Sequence, residues 1–308
     1  MKRRILENLR TKDGAVSGQV LSARLGISRV SIWKHIQQLQ ALGYEITSSA
    51  KGYHLKNSPD VPYPWEFTGR KSKIIYHAEL SSTMDAAKEL ARKGCPDYTT
   101  VIAGRQTSGR GRLDRQWSSE KGGLYFTMIL RPDLPPVLSF RVGFLASLTL
   151  ARILNEMFGL DVRVKWPNDL LVDERKICGM LSELEAEADR VSFINIGIGL
   201  NVNNDPPPNE PAATSLKMTL GRRVSQKEIL FRYLDSFEAQ MQAAAYDDVI
   251  DRWKHYTVTL NRHVRVVTTR DVFTGKAVDV DDTGALILEC SDGSLKTIRF
   301  GDCFHQIS

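Results

Sequence analysis

The chain is sparing with the residues that would mark a metal site, a disulfide framework or a membrane span. Among its 308 residues are four cysteines, Cys95, Cys178, Cys290 and Cys303, scattered and without a Cys-x-x-Cys pair. That spacing suits reduced thiols and excludes a disulfide scaffold or a cysteine-built zinc site. Its six histidines form no His-Glu-x-x-His arrangement, which argues against a catalytic zinc. No run approaches the roughly 18 apolar residues that span a bilayer. The nearest, Val142 to Ala151, lies between Arg141 and Arg152 and reads as a buried helix. The basic start, Met1-Lys2-Arg3-Arg4-Ile5-Leu6-Glu7, lacks the apolar stretch and small-residue cleavage site of a signal peptide, so a cytoplasmic location is expected.

What the chain does have is charge, and it is unevenly placed. The formal net charge is +6, yet residues 1–56 hold ten Lys/Arg against three Asp/Glu, and residues 263–308 hold five against seven. The surplus in the first 56 residues marks a small domain suited to a polyanion such as nucleic acid. Three helical patterns occupy residues 1–43. Ser17 and Ser28 stand where N-caps belong, and Gly26 and Gly43 where helices stop. In the third helix Ile32, Ile36, Leu39 and Leu42 form a core stripe, and two short strands follow around Lys51-Gly52. The pattern predicts a winged helix-turn-helix over residues 1–57, with Ser28, Arg29, Ser31, Lys34, His35 and Gln38 toward base edges and Lys51 near phosphate. A charged three-helix interaction module is the plainer alternative. Asn57 to Trp65, with Pro59, Pro62 and Pro64, reads as a stiff linker.

From about residue 73 to 260, strand-like and helix-like segments alternate, predicting a mixed α/β domain over 66–262. Its first unusual segment runs from Gly104 to Trp117. Glycines there leave backbone N–H groups open to an anion, and Arg105, Arg110, Arg112 and Arg115 add positive charge. It is not a Walker A loop, because Arg110-Gly111 replaces Lys-Ser/Thr. Nor is it a dinucleotide fingerprint, because Asp114 stands where the third glycine would be. Otherwise it would be an ordinary surface loop. The second segment is Lys165-Trp166-Pro167-Asn168-Asp169, where Lys165 suits phosphate and Asn168 and Asp169 suit Mg²⁺ or ribose; alone it could be a simple turn. The third is Arg175-Lys176 with Gly179, followed by Gly197-Ile198-Gly199-Leu200-Asn201, where glycines within strand patterns suggest backbone close to a ligand.

Ser82-Thr83, Gly109-Arg110-Gly111-Arg112 with Trp117, Lys165 to Asp169, Arg175-Lys176 with Gly179, and Gly199-Leu200-Asn201 stand in the order found in biotin protein ligases. With the N-terminal DNA reader and a small C-terminal β domain, the chain resembles the bifunctional ligase/repressors of that family from end to end. The resemblance implies that ATP and biotin form biotinyl-5'-AMP and that biotin passes to a lysine of a biotin carboxyl carrier protein. Ser82, Thr83, Gln106, Gly109 to Arg112, Lys176, Gly179 and Gly199 would bind biotin. Arg112, Trp117, Lys165, Asn168, Asp169, Lys176 and Asn201 would bind ATP, with Asp169 near Mg²⁺. Arg110, Arg112, Lys165 and Lys176 would carry the catalysis. The resemblance also implies a ligand-dependent homodimer on operator DNA. Two departures stand out: the family usually has glycine at Asp114, and some members have asparagine at Met84. The lack of a Gly-x-Ser-x-Gly elbow agrees with a route that needs no covalent enzyme intermediate.

Residues 263–308 alternate short apolar strands with Asp282-Thr283-Gly284 and Asp292-Gly293 turns, predicting a small SH3-like barrel. Two other functions stay open at this point: a ligand-sensing transcription factor without ligase activity, and a ligase for lipoate or octanoate.

Overall fold

The computed structural model describes residues 1–11, 14–67, 69, 73–113, 115–244 and 246–306. The chain divides into two compact units, Met1–Thr68 and Gly69–Ser308.

The first unit opens with three helices, α1 (Lys2–Arg10), α2 (Gly18–Leu25) and α3 (Arg29–Ala41), followed by the antiparallel strands β1 (Glu45–Ser49) and β2 (Gly52–Asn57). Ser17 accepts from the Val20 N–H and Ser28 from the Ser31 N–H, satisfying donors that helix starts leave open. Gly26 ends α2 in the left-handed conformation that favours glycine. Ile5, Leu6 and Leu9 meet Leu21, Leu25, Ile32, Ile36 and Leu39 in one core. At the wing, Gly52 has a positive φ of 123° and lies so close to Val16 that a Cβ would stand 2.2 Å from the Val16 carbonyl oxygen. The proline-rich segment is not a free linker. Tyr63 and Trp65 pack against the unit's core, the Trp65 indole donates to Tyr44 at 2.9 Å, and Glu66 pairs with Arg10 at 3.0 Å and accepts from the Tyr44 hydroxyl. The aromatic rings between the prolines have apolar surface to bury, and the helices supply the place.

In the second unit, seven strands make one sheet: β3 (Ile74–His77), β4 (Thr99–Ala103), β5 (Leu124–Leu130), β6 (Arg163–Lys165), β7 (Asp169–Val172), β8 (Arg175–Glu187) and β9 (Arg190–Leu200). They lie in the order β3-β4-β5-β9-β8-β7-β6, and only β3 and β4 run parallel. Helix α4 (Thr83–Arg92) covers one face, setting Ala87 and Ala91 against Val101, Ile129 and Phe193. Side chains alternate along a strand, so Phe126 points the other way, where it meets Tyr233 of α7 (Gln226–Gln242) edge to face. That face also receives α5 (Phe140–Phe158), whose Phe144 packs on Trp253 of α8 (Val249–Lys254). A short α6 (Leu216–Leu220), which no sequence pattern announced, lies between them in chain order. By length and composition the stretch Pro136–Phe158 could cross a membrane, although no unbroken apolar run marks it. Its Val142, Leu145, Leu148 and Leu154 are instead buried in the unit's core, as expected of a core helix.

The C-terminal residues form a five-stranded antiparallel sheet from β10 (His263–Val267), β11 (Val272–Val280), β12 (Leu286–Glu289), β13 (Leu295–Ile298) and β14 (Asp302–His305), in the order β13-β12-β11-β10-β14. The first four follow the alternation seen in the sequence. The fifth does not announce itself, because Asp302-Cys303-Phe304-His305 lacks a clear apolar alternation; β10 supplies its hydrogen-bonding edge. The buried Trp166 ties this region to the large sheet, its indole donating to the Gly284 carbonyl at 3.0 Å and its backbone N–H to the Thr259 hydroxyl at 3.0 Å.

Candidate active site

The floor of the site is set by strand register. Asp169 on β7, Gly179 on β8 and Gly199 on β9 are cross-strand neighbours, so two glycines leave open space beside a carboxylate. The Trp117 indole fills part of that space. A Cβ on Gly199 would stand 2.3 Å from the Trp117 Nε1, and one on Gly179 would stand 3.0 Å from its ring. Here the glycines are needed for the close approach of Trp117, a side chain of the chain itself, where their placement within strands had suggested a ligand.

Trp117 is delivered by a tight hairpin. Its N–H donates to the Gly109 carbonyl at 2.8 Å, the Gly111 N–H to the Arg115 carbonyl at 2.7 Å, and the Arg115 N–H to the Arg112 carbonyl at 3.1 Å. Asp114 lies outside the described residues. Behind the hairpin, the Gln106 amide oxygen accepts from the Thr83 N–H (2.7 Å) and hydroxyl (3.0 Å), and its nitrogen donates to Ser119 at 2.8 Å. The Thr127 hydroxyl continues the network to Thr83 at 2.9 Å. Such a chain of bonds fixes the orientation of the Thr83 and Gln106 polar groups at one end of the cavity.

That cavity holds about 460 Å³, and Arg110, Arg112, Lys165 and Lys176 all line it. Its cations are mostly held by carboxylates. Lys176 Nζ lies 2.7 Å from Asp169, and Arg110 bridges Asp85 at 2.8 Å and Glu183 at 2.6 Å. Arg115 meets Asp302 of β14 at 2.7 Å. For Arg110, partial burial opposes the charge, but Glu183 and Asp85 outweigh it and raise the pKa. Arg112 is different. Burial lowers its pKa although Asp302 and Asp169 pull the other way, and among the described residues its guanidinium donates only to the Asn168 amide oxygen, at 3.4 Å. A desolvated guanidinium with so weak a partner is a ready receptor for an anion. On β14, burial pushes the Cys303 thiol up to about 12, and burial with Lys165 and Arg262 nearby brings His305 down to about 4. Both are therefore neutral near pH 7.

This geometry agrees with known relatives. Residues 2–54 match the model of a helix-turn-helix (HTH) domain, residues 76–203 the biotin/lipoate A/B protein ligase family, and residues 259–306 the biotin protein ligase C terminal domain. The chain is 37% identical over 296 residues to the bifunctional ligase/repressor BirA of Bacillus subtilis, covering 91% of each. The chain belongs to the biotin protein ligase family. To BirA of Escherichia coli K12 it is 29% identical, covering 93% of this chain and 91% of the relative. Among solved structures, the biotin protein ligase of Aquifex aeolicus in complex with biotin and ATP superposes with a TM-score of 0.65 at 27% identity, covering 76% of this chain and 99% of that one. The helix-turn-helix, the ligase fold and the strand-rich C-terminal domain occur in one chain, as in the bifunctional ligase/repressors.

Within this family frame, the structure gathers most of the residues named from the sequence. Thr83, Gln106, Gly111, Trp117, Asn168, Asp169, Gly179 and Gly199 share the cavity wall with the four cations. Ser82, Gly109 and Asn201 are not on that wall. The Ser82 hydroxyl caps α4 by accepting from the Met84 N–H, and Gly109 is pressed against the Trp117 carbonyl. The Asn201 amide is spent on the Thr214 carbonyl and on Asn204. Arg105 is also elsewhere, paired with Glu79 and Glu120. Sequence reasoning passed over Asp85, Glu183, Asp302, Cys303 and Phe304. An acidic residue that interrupts an apolar strand is a weak signal for Glu183; the β14 residues had none. In the first unit, Arg29, Lys34, Gln38 and Lys51 are exposed, whereas the Ser28 and Ser31 hydroxyls bond each other at 3.0 Å and His35 Nδ1 is buried without a partner among the described residues.

Proposed function

We propose that this ligase/repressor joins biotin to ATP as biotinyl-5'-AMP in the cavity of the second unit, transfers biotin to a lysine of a biotin carboxyl carrier protein, and binds operator DNA through its winged helix-turn-helix when the adenylate is held. The observation that carries this reading is the convergence of Arg110, Arg112, Lys165 and Lys176 on one cavity floored by paired glycines. Biotin lies toward Thr83 and Gln106, and the nucleotide toward Trp117, Asn168 and Lys165. The Gly109–Arg112 segment closes over both, and Lys176 bridges the biotin carboxylate and the phosphate.

The chemistry requires two anions to meet. A biotin carboxylate oxygen forms a bond to the α-phosphorus of ATP, and the bond to the β-phosphate oxygen breaks, releasing pyrophosphate. Preorganised cations stabilise the charge that accumulates at this step. Lys176 must exchange Asp169 for substrate oxygens, and Arg110 must exchange Asp85 and Glu183. In the second step the carrier lysine amine attacks the acyl carbon, AMP leaves with the electrons of the acyl–phosphate bond, and the amine loses a proton. The hairpin over the cavity excludes water from the mixed anhydride.

Among the described residues no group of three His, Cys, Asp or Glu could hold a metal ion. Asp169 can still supply the single carboxylate that suits Mg²⁺ arriving on the triphosphate, because Mg²⁺ commonly takes one or two protein carboxylates plus phosphate oxygens. That ion would supply charge neutralisation at the phosphates. The reading further includes a cytoplasmic protein, a ligand-dependent homodimer on DNA, and domains over residues 1–57, 66–262 and 263–308. Mass spectrometry of a purified carrier domain incubated with this chain, biotin and MgATP tests it. One biotinyl group on one lysine is expected, and an unmodified carrier removes the transfer reading. Octanoate or lipoate appearing on the carrier in preference to biotin reassigns the acid.

A further inference from the structure

The inward stripe of α3 is Ile32, Ile36 and Leu39, all fully buried. At 100° per residue, Val30, Lys34 and Gln37 project from the opposite side, with Trp33 on its flank. Val30 is 63% exposed and Trp33 52% exposed. Two large apolar side chains in water, on the helix that the winged fold directs at its partner, call for an occupant. The charge around them limits the choice: residues 1–56 hold ten Lys/Arg against three Asp/Glu, and Arg29 and Lys34 flank the pair. The partner is therefore a polyanion that also carries apolar spots. Duplex DNA meets both conditions, because the thymine C5-methyl is the apolar group displayed in the major groove. Hydrogen-bond readers near the start of this helix are correspondingly few. Ser28 and Ser31 are committed to the cap and to each other, and His35 turns one ring nitrogen inward.

We infer that Val30 and Trp33 are specificity residues that read thymine methyl groups in the major groove. They are the second and fifth residues of α3, within the N-terminal part of a recognition helix that reaches base edges. The inference rests on the duplex-binding reading of the first unit and goes beyond the polar contacts named from the sequence.

The test begins with a duplex selected from a random library by the full chain in the presence of biotin and MgATP. Each thymine in the protected half-sites is then replaced by deoxyuridine, which removes only the methyl group. One or more replacements should weaken binding by about fourfold, the worth of a buried methylene-sized group. Val30→Ala and Trp33→Ala should bind the thymine duplex more weakly and lose their sensitivity to the replacement. Lys51→Ala should weaken both duplexes alike and keep the sensitivity, as a phosphate contact does. Because Val30 and Trp33 are exposed, both variants should keep parental thermal stability and biotinylation activity. A parent indifferent to every methyl, or variants that keep its full sensitivity, overturns the inference. So does parental DNA binding by both variants combined with an altered sedimentation coefficient, which would make this face a contact between two copies. If the full chain selects no duplex at all, the duplex-binding reading falls with it.

Discussion

The N-terminal unit and the ligase cavity both present arginine and lysine to an anion, but they hold them in opposite ways. Arg29, Lys34 and Lys51 are exposed and have no carboxylate within ion-pair distance among the described residues. In the cavity, the partly covered Arg110 rests against two carboxylates and Lys176 against one. The difference follows from solvation. An exposed cation is stabilised by water and can wait for a polyanion whose counterions it will release. A cation drawn into a cavity loses water, and an internal carboxylate offsets part of that cost until substrate arrives. The DNA-reading face therefore offers long-range attraction, and the cavity offers exchange of one anion for another. Arg112 is an exception that shows the cavity's purpose, since burial depresses its pKa and no carboxylate among the described residues lies within ion-pair distance of it.

The sharpest way to break this comparison is to remove an exchanging cation. Lys176→Ala should slow pyrophosphate release in the presence of biotin and MgATP by about a thousandfold, the scale of losing a preorganised charge at a reacting phosphate. It should leave the non-specific DNA affinity of the unliganded chain unchanged. A loss of less than tenfold would remove Lys176 from the chemistry. Salt separates the two regions next. Raising salt from about 50 to 200 mM should cost operator affinity on the order of a hundredfold through counterion release. Biotin affinity, measured by calorimetry, should move by less than threefold. Equal responses would erase the distinction between open and paired cations.

Within the second unit, acid tests how far burial governs its charges. Burial and the neighbouring cations Lys165 and Arg262 hold His305 at about 4 instead of the usual 6.5. Between those values the unfolded chain binds a proton that the folded chain refuses. Stability therefore falls as the pH drops from about 6.5 to about 4, by on the order of 3 kcal/mol, and the loss then levels off. Denaturant unfolding of parent and His305→Gln across this range should differ in slope by about one proton, and superimposable slopes would remove His305 as the source. The smallest effect is the most direct probe of exchange. Asp85→Asn frees Arg110 from one of its two carboxylates and should tighten biotinyl-5'-AMP binding about threefold, the modest scale of a partly exposed ion pair. Weaker binding would mean that Asp85 positions the arginine rather than competes for it.

Much of the fold could be read from local pattern. Serine caps, glycine stops and a buried stripe at helical spacing defined α2 and α3, and the alternation of apolar residues defined most of the C-terminal strands. The glycines at 179 and 199 signalled an approach to a ligand, and the structure shows Trp117 against them. Less legible were features whose cause lies far along the chain. Tyr63 and Trp65 looked like part of a proline spacer because the helices they pack against are earlier in sequence. Asn201 has the company of a ligand residue, yet its amide is consumed by Thr214 and Asn204 once the chain folds back. The strand β14, which brings Asp302 and Phe304 to the cavity wall, exists because β10 offers an edge, not because its residues favour extended structure.

By itself the order of residues determined a basic helical reader, a mixed α/β domain with an arginine-bearing glycine loop, and a β-rich C-terminal region. These depend on charge, capping and periodicity, which act over a few residues. Only the tertiary structure decided which carboxylate restrains which cation, that Trp117 lies over the paired glycines, and that the last strand reaches the site. Those choices are made by strand register and by the cost of burying charge. Both depend on residues tens to hundreds of positions apart, and no local pattern can encode them.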